Sequence, residues 1–427
     1  MRCCSARRGG PAGRGPDRAN RGRGARRREP APPGDRAAAR QPALVTTPAR
    51  SPHRAWIEID HATLASNLAV IRQLAGPERQ VIAVVKANGY GHGAIEVSRT
   101  LAAHGVERLA VATVGEGVAL REAGISGPIV VLWGIGEPEA PIAMAADLEL
   151  TVYDQAGIEL AERAAAAAGK RAALHLKLDT GLGRQGSDPG DAIELAVRVA
   201  RSRDLHLAAT FSHLAVPGQD DAYTDVQLLR LAQALDGMRS AGVDPGLVHV
   251  AASGGLLAGI GGFADAVRPG LALYGLVPAW AGETDHGLRP ILSLKALPLR
   301  IFELPAGDAI GYGLRFRTTQ ATRIATLGIG YGDGWPRIHA NNGSVLVHGE
   351  RRPIVGAISM DGLTVDLGET HDVTYDDEFV LIGEQMSARI TADEVAGERR
   401  TINYEVTTAL RDRLPRLHLP EVIAGAG

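Results

Sequence analysis

Val81-Ile82-Ala83-Val84-Val85-Lys86-Ala87-Asn88-Gly89-Tyr90-Gly91-His92-Gly93 is the stretch on which the reading of the chain turns. Its apolar run, Val81 to Val85, is mostly β-branched and has no polar face, the mark of a strand covered on both sides. Lys86 ends that strand, and glycines at 89, 91 and 93 turn the chain toward a helix. An ammonium at the end of an apolar strand is desolvated, which lowers its pKa. The neutral amine is the form that attacks a carbonyl. An isolated lysine in this position more often snorkels to the rim, so the rest of the chain has to decide.

Outward from this stretch, strands and helices alternate. Ala55–Asp60 reads as a strand, and Asp60 as the cap of a helix striped by Leu64, Leu68 and Ile71 and stopped by Gly76-Pro77. Eight strands are expected at 80–86, 108–113, 128–132, 148–153, 172–179, 205–213, 247–253 and 266–275, with helices such as 117–123, 155–168, 191–202 and 221–241 between them. This pattern predicts a (β/α)8 barrel, with a doubly wound sheet as the competing architecture. Past residue 290 the helical period fades into short alternating runs at 292–301, 323–329, 344–347, 363–367 and 379–382, with 391–396 as a short helix. A mostly-β second domain is expected there. The expected organisation is a tail over 1–50, a barrel over 51–290 and a mostly-β domain over 291–427.

The chain of 427 residues carries a net charge of −2 that hides two unlike parts. Residues 1–50 hold 13 Arg and no Lys against Asp17, Glu29 and Asp35, a balance of +10 that leaves −12 for the remainder. The basic segment is rich in Gly, Pro and Ala and too poor in large apolar residues to form a core, so a disordered tail is expected. Nucleic-acid binding and a transit peptide are alternatives. An upstream extension from a GC-rich coding region is the favoured reading. Cys3 and Cys4 both lie in this tail, so no disulfide, cysteine nucleophile or cysteine-ligated metal is expected in the body. Without an apolar run of membrane-spanning length or a signal sequence, the expected location is the cytoplasm.

A barrel of this kind gathers its functional side chains at the C-terminal ends of its strands. Lys86 follows the first strand, Arg184 the fifth, in Lys177-Leu178-Asp179-Thr180-Gly181-Leu182-Gly183-Arg184, and His213 closes the sixth. Ser253 closes the seventh, and Arg268 lies on the eighth, ahead of Gly270-Leu271. Ser253 and the amides near Gly270 fall where such barrels bind phosphate. Each residue alone has an ordinary structural explanation: a satisfied core histidine, a surface arginine, a turn serine. Their shared position is what singles them out. In the second domain, Ile310-Gly311-Tyr312-Gly313 and Ile329-Gly330-Tyr331-Gly332-Asp333-Gly334-Trp335 flank tyrosines with glycine, which leaves a phenol accessible for proton transfer. Ser359-Met360-Asp361 and Thr401-Ile402-Asn403-Tyr404-Glu405 complete the set.

In order and spacing, from about residue 53 to 416, these motifs resemble those of the alanine racemases. The resemblance implies an isomerase that uses pyridoxal 5'-phosphate to interconvert L- and D-alanine, supplying D-alanine for peptidoglycan. It implies a homodimer with shared active sites, in which Lys86 carries the cofactor and serves as one base and Tyr312 of the partner subunit is the other. Arg268 then faces the pyridine nitrogen with His213 in support. Tyr90, Ser253, Gly270, Leu271 and Tyr404 hold the phosphate. Arg184 and Met360 meet the substrate, and Lys177 is a candidate for carbamylation. No metal, nucleic acid or membrane partner is implied. Ala252 and Ser359 stand where the family often has Asn and Cys, which leaves substrate breadth open. Gly181-Leu182-Gly183-Arg184-Gln185-Gly186 also matches a dinucleotide-binding pattern, but no helix follows it and Asp204 begins a strand where the ribose-binding acid should end one. A related barrel decarboxylase would leave the tyrosine and Ser-Met-Asp motifs unexplained. A cofactor carrier would not need the second domain.

Overall fold

The computed structural model describes residues 53–421 apart from 283; the expected tail over 1–50 lies outside them. Eight parallel strands, Gln80–Val84, Arg108–Val111, Ile129–Val131, Glu149–Val152, Ala172–Lys177, Leu205–Phe211, Leu247–Ala252 and Ala266–Arg268, close into a barrel. Closure comes from the first strand pairing with the last, Gln80 opposite Ala266 and Val81 opposite Val267. The strands lack a polar face because helices cover one side and the barrel's own filling the other; Val81, Ile82, Ala83 and Val84 are all buried.

Local signals set the helices. The Asp60 side chain accepts from Thr63 N at 2.9 Å and starts the helix His61–Ala75. Thr113 and Glu116 form a reciprocal cap on Val114–Glu122, and Asp154 caps Gln155–Ala168. The eighth strand is shorter than the expected 266–275. It stops at Arg268, because Pro269 and Gly270 break it and the chain turns into the 3-10 segment Leu271–Tyr274.

The second sheet runs in the order 298–304, 322–327, 363–368, 350–355, 344–347, 379–385, 292–296, 55–60, 416–419, with 388–390 paired to 379–385. Ala55–Asp60, grouped by sequence with the barrel segment, is hydrogen-bonded into this sheet instead. It pairs antiparallel to Leu292–Ala296 and parallel to Arg416–Leu419, so both ends of the described chain are stitched together. The single run expected at 292–301 is two strands, divided at Leu297 just before Pro298. One continuous apolar core joins barrel and sheet.

Candidate active site

A cavity of about 1090 Å³ opens at the C-terminal mouth of the barrel. Lys86, Tyr90, Lys177, Arg184, His213, Ser253, Arg268, Gly270, Leu271 and Tyr404 all line it, joined by Trp133. Residues spread over more than three hundred positions of sequence thus converge on one hollow.

Lys86 reaches it from an unusual turn. Ala87, Asn88, Gly89 and Tyr90 have φ of 51°, 53°, 61° and 54°, so four successive residues are left-handed. Such a turn is unfavourable for Ala87 and Tyr90, less so for Asn88, and free of strain for Gly89. Neighbours hold it in place. Ala87 N donates to Glu116 Oε1 at 2.7 Å, Ala94 N to Asn88 Oδ1 at 2.9 Å, and Arg416 Nε to Gly91 O at 2.8 Å. The buried His92 ring places Nδ1 at 2.9 Å from both Gly89 O and Tyr90 O. Gly91, at φ 85°, has no room for a side chain, since a Cβ would come within 2.1 Å of Thr407 O. Burial, and then the Arg184 and Arg268 cations, push the Lys86 ammonium below its ordinary pKa.

Arg268 is buried behind the cavity floor. Its Nη2 donates to Ser212 O and His213 Nδ1, each at 3.0 Å, and its Nη1 to His249 Nδ1 at 2.5 Å. Burial lowers its pKa only to about 10, so it remains a cation at neutral pH. His213 is pushed well below its usual value by burial and by Arg268, and is neutral.

At the other end of the cavity, Ser253 Oγ accepts from Gly270 N at 3.0 Å and Ala272 N at 3.1 Å. The Tyr90 hydroxyl sits so close to Gly270 that a Cβ there would lie 2.3 Å from it. The Tyr90 and Tyr404 rings are 6.2 Å apart. Three hydroxyls and the backbone at residues 270–272 make a cradle suited to a phosphate.

The glycine-rich loop after the fifth strand wraps its own carboxylate. Asp179 accepts from Gly181 N, Leu182 N, Gly183 N and Arg184 N at 2.9, 2.8, 3.1 and 3.0 Å. An ionised side chain already fills the nest that a dinucleotide's phosphates would need. The loop instead delivers the Arg184 guanidinium over the Trp133 ring, 5.6 Å from its centroid. Lys177 Nζ donates to Gln185 Oε1 at 3.3 Å, and burial with Arg184 and Arg268 lowers its pKa to about 8.

Tyr312 and Met360 are not brought to this cavity. Tyr312 sits between the short strands Ala309–Ile310 and Phe316–Arg317, is 76% exposed, and lines a separate hollow of about 480 Å³ with Ser359. Met360 is 53% exposed. Sequence reading missed Glu116, His92, Arg416, Trp133 and His249. Of these, Glu116 carried a signal as the third residue after a capping threonine, and His92 as a member of the glycine-rich stretch after Lys86.

Fold and site together define a two-domain barrel enzyme built around a desolvated amine beside an anion cradle. Family models for the alanine racemase N-terminal and C-terminal domains match residues 59–278 and 291–418. An alanine racemase of Halothermothrix orenii is 37% identical over 362 residues, covering 84% of this chain and 96% of that protein. The crystal structure of alanine racemase from D-cycloserine-producing Streptomyces lavendulae matches with a TM-score of 0.81 at 36% identity, over 87% of this chain and 98% of that one. The Bartonella henselae alanine racemase, solved with covalently bound pyridoxal phosphate, matches with a TM-score of 0.76 at 28% identity, over 86% and 100%. The chain belongs to the alanine racemase family and is an isomerase.

Proposed function

We propose that this enzyme interconverts L-alanine and D-alanine with pyridoxal 5'-phosphate as cofactor, by proton exchange between two bases on opposite faces of Cα. The observation that carries the cofactor reading is the cradle: Gly270 is kept free of a side chain by the Tyr90 hydroxyl, beside Ser253 and across from Lys86. Bound there, pyridoxal phosphate supplies a carbonyl for the substrate amine and a conjugated ring that spreads the charge left at Cα.

The chain's own groups do the rest. Tyr90, Ser253, Tyr404 and the backbone at Gly270 and Leu271 hold the phosphate. Arg268, a cation in the cavity lining, would meet the ring nitrogen and keep it unprotonated, which would limit electron withdrawal into the ring and disfavour decarboxylation and transamination. Arg184 takes the substrate carboxylate. Lys86 Nζ, with its lowered pKa, gives and receives the proton on one face. The second base is Tyr312 of the partner subunit, with Met360 of the partner subunit offering its backbone amide. This assignment is supported by the exposure of Tyr312 and by its lining a hollow other than the cavity in its own chain. A head-to-tail homodimer lays each exposed tyrosine over the other barrel and makes both sites alike. Lys177, part neutral near pH 8, is poised to take up carbon dioxide as a carbamate beside Arg184. Among the described residues no helix is long and apolar enough to cross a membrane. The product role we assign is D-alanine for peptidoglycan, made in the cytoplasm.

The test is racemisation across a panel of amino acids after reconstitution with pyridoxal phosphate. Loss of optical rotation with alanine is expected. A chain that binds the cofactor and racemises no alanine refutes the reading.

A further inference from the structure

Arg268 is a buried cation whose three acceptors, His249, His213 and the Ser212 carbonyl, carry no negative charge. Among the described residues no carboxylate forms an ion pair with it, and a buried charge without compensation is costly. A hydrogen-bonded path leads from it to a carboxylate at the far end of the barrel. His249 Nε2 meets His175 Nδ1 at 3.3 Å, His175 Nε2 meets Glu149 Oε2 at 3.0 Å, and Glu149 receives Arg108 Nε and Nη2 at 2.5 and 3.1 Å. Arg108 and Glu149 are the first residues of their strands, so this column runs through the barrel filling from floor to mouth.

Its direction is forced. A guanidinium only donates, so His249 Nδ1 accepts and its hydrogen is on Nε2. That hydrogen makes His175 Nδ1 an acceptor in turn, and its own Nε2–H must go to Glu149. An ionised carboxylate only accepts, which closes the chain without conflict. Burial, reinforced by Arg268, keeps His249 neutral. Phe211, which lines the cavity, stacks on His249 with centroids 4.6 Å apart, and its ring lies 5.2 Å from Arg268.

We propose that Glu149, held ionised by Arg108, orients the relay through His175 and His249, and that the three are positioning residues that fix the Arg268 guanidinium and moderate the charge it presents to the cofactor ring. The proposal rests on the reading that Arg268 faces the ring nitrogen of pyridoxal phosphate. Residues at the floor of such a barrel ordinarily serve stability alone.

The absorbance and circular-dichroism maximum of bound pyridoxal phosphate tests it in the holoenzyme. Glu149→Gln removes the charge and keeps an acceptor for His175. His249→Asn keeps an acceptor for Arg268 and cuts the path to His175. Each is expected to move the maximum by several nanometres in the same direction, and the double variant no further than either single one, because both break one path. Additive shifts, or a His249→Asn maximum at the wild-type position, overturn the proposal. If Glu149→Gln fails to fold with Arg108 left unpaired, Arg108→Met with Glu149→Met removes the pair together and takes its place. Nitrogen NMR of the cofactor-free chain reads the column directly: both imidazoles are expected neutral with hydrogen on Nε2, and the other tautomer at either overturns the forced direction. A wild-type chain that binds no pyridoxal phosphate refutes the cofactor reading instead, while the NMR result still decides the column.

Discussion

Ala87→Gly isolates the strain stored beside Lys86. Ala87 has φ 51° and ψ 51°, and its side chain is exposed, so the substitution removes no packing. Left-handed backbone costs an L-residue roughly 1–2 kcal/mol, and glycine nothing. Glycine's extra freedom in the unfolded chain takes back about 0.5–1 kcal/mol. The net expectation is a gain of about 0.5–1 kcal/mol, or a midpoint higher by about 1–3 °C in a domain of this size. Ala69→Gly is the control: it is equally exposed but lies in the regular helix His61–Ala75, where glycine costs about 1 kcal/mol. Urea melts of the cofactor-free chain should therefore move in opposite directions for the two variants. Turnover of Ala87→Gly should fall, on the order of tenfold, because the residue after Lys86 no longer aims it. If Ala87→Gly loses as much stability as Ala69→Gly, the turn is not strained and the reasoning fails.

Gly270→Ala should weaken pyridoxal phosphate binding by at least about tenfold, since its Cβ would sit 2.3 Å from the Tyr90 hydroxyl; equilibrium titration of the apoenzyme checks it, and unchanged affinity would place the phosphate elsewhere. Burial opposes ionisation of Glu149, but His175 and Arg108 outweigh it and lower its pKa from 4.5 to about 2. A depressed carboxylate stabilises fully above its unfolded pKa and loses that contribution as pH falls toward the folded one. The stability gap between wild type and Glu149→Gln should thus shrink between about pH 5 and pH 2, as urea midpoints at stepped pH will show; a gap constant over that range would contradict the shift. Lys86→Ala should leave no borohydride-fixed cofactor on the protein, and any remaining adduct would move the attachment to another lysine.

The barrel was legible because parallel strands buried on both faces are written as plain apolar runs, and Lys86, His213, Ser253 and Arg268 stand where those runs end. The left-handed turn was not, because Ala87 and Tyr90 carry no local preference for it; contacts from Glu116, His92 and Arg416 impose it. Glu350–Val355 hid its strand behind two arginines and Pro353, and it forms because the second sheet offers partners on both sides. Ala55–Asp60 reads correctly as a strand, but its partners lie over two hundred and thirty residues away, beyond the reach of any local pattern. The column from Arg108 to Arg268 escaped notice for the same reason. Arg108 and Glu149 look like ordinary polar strand ends until the barrel closes and aligns them with His175 and His249.

Complementation tests the central claim, a site shared between two chains, most directly. Lys86→Ala and Tyr312→Ala, each expected to be nearly inactive, are unfolded together and refolded as a mixture. The heterodimer then holds one site with an intact lysine from one chain and an intact tyrosine from the other. Half the dimers of an equal mixture are expected to be heterodimers with one working site each, so activity should return to about a quarter of wild type. A mixture as inactive as its parents, while heterodimers demonstrably form, would contradict the account.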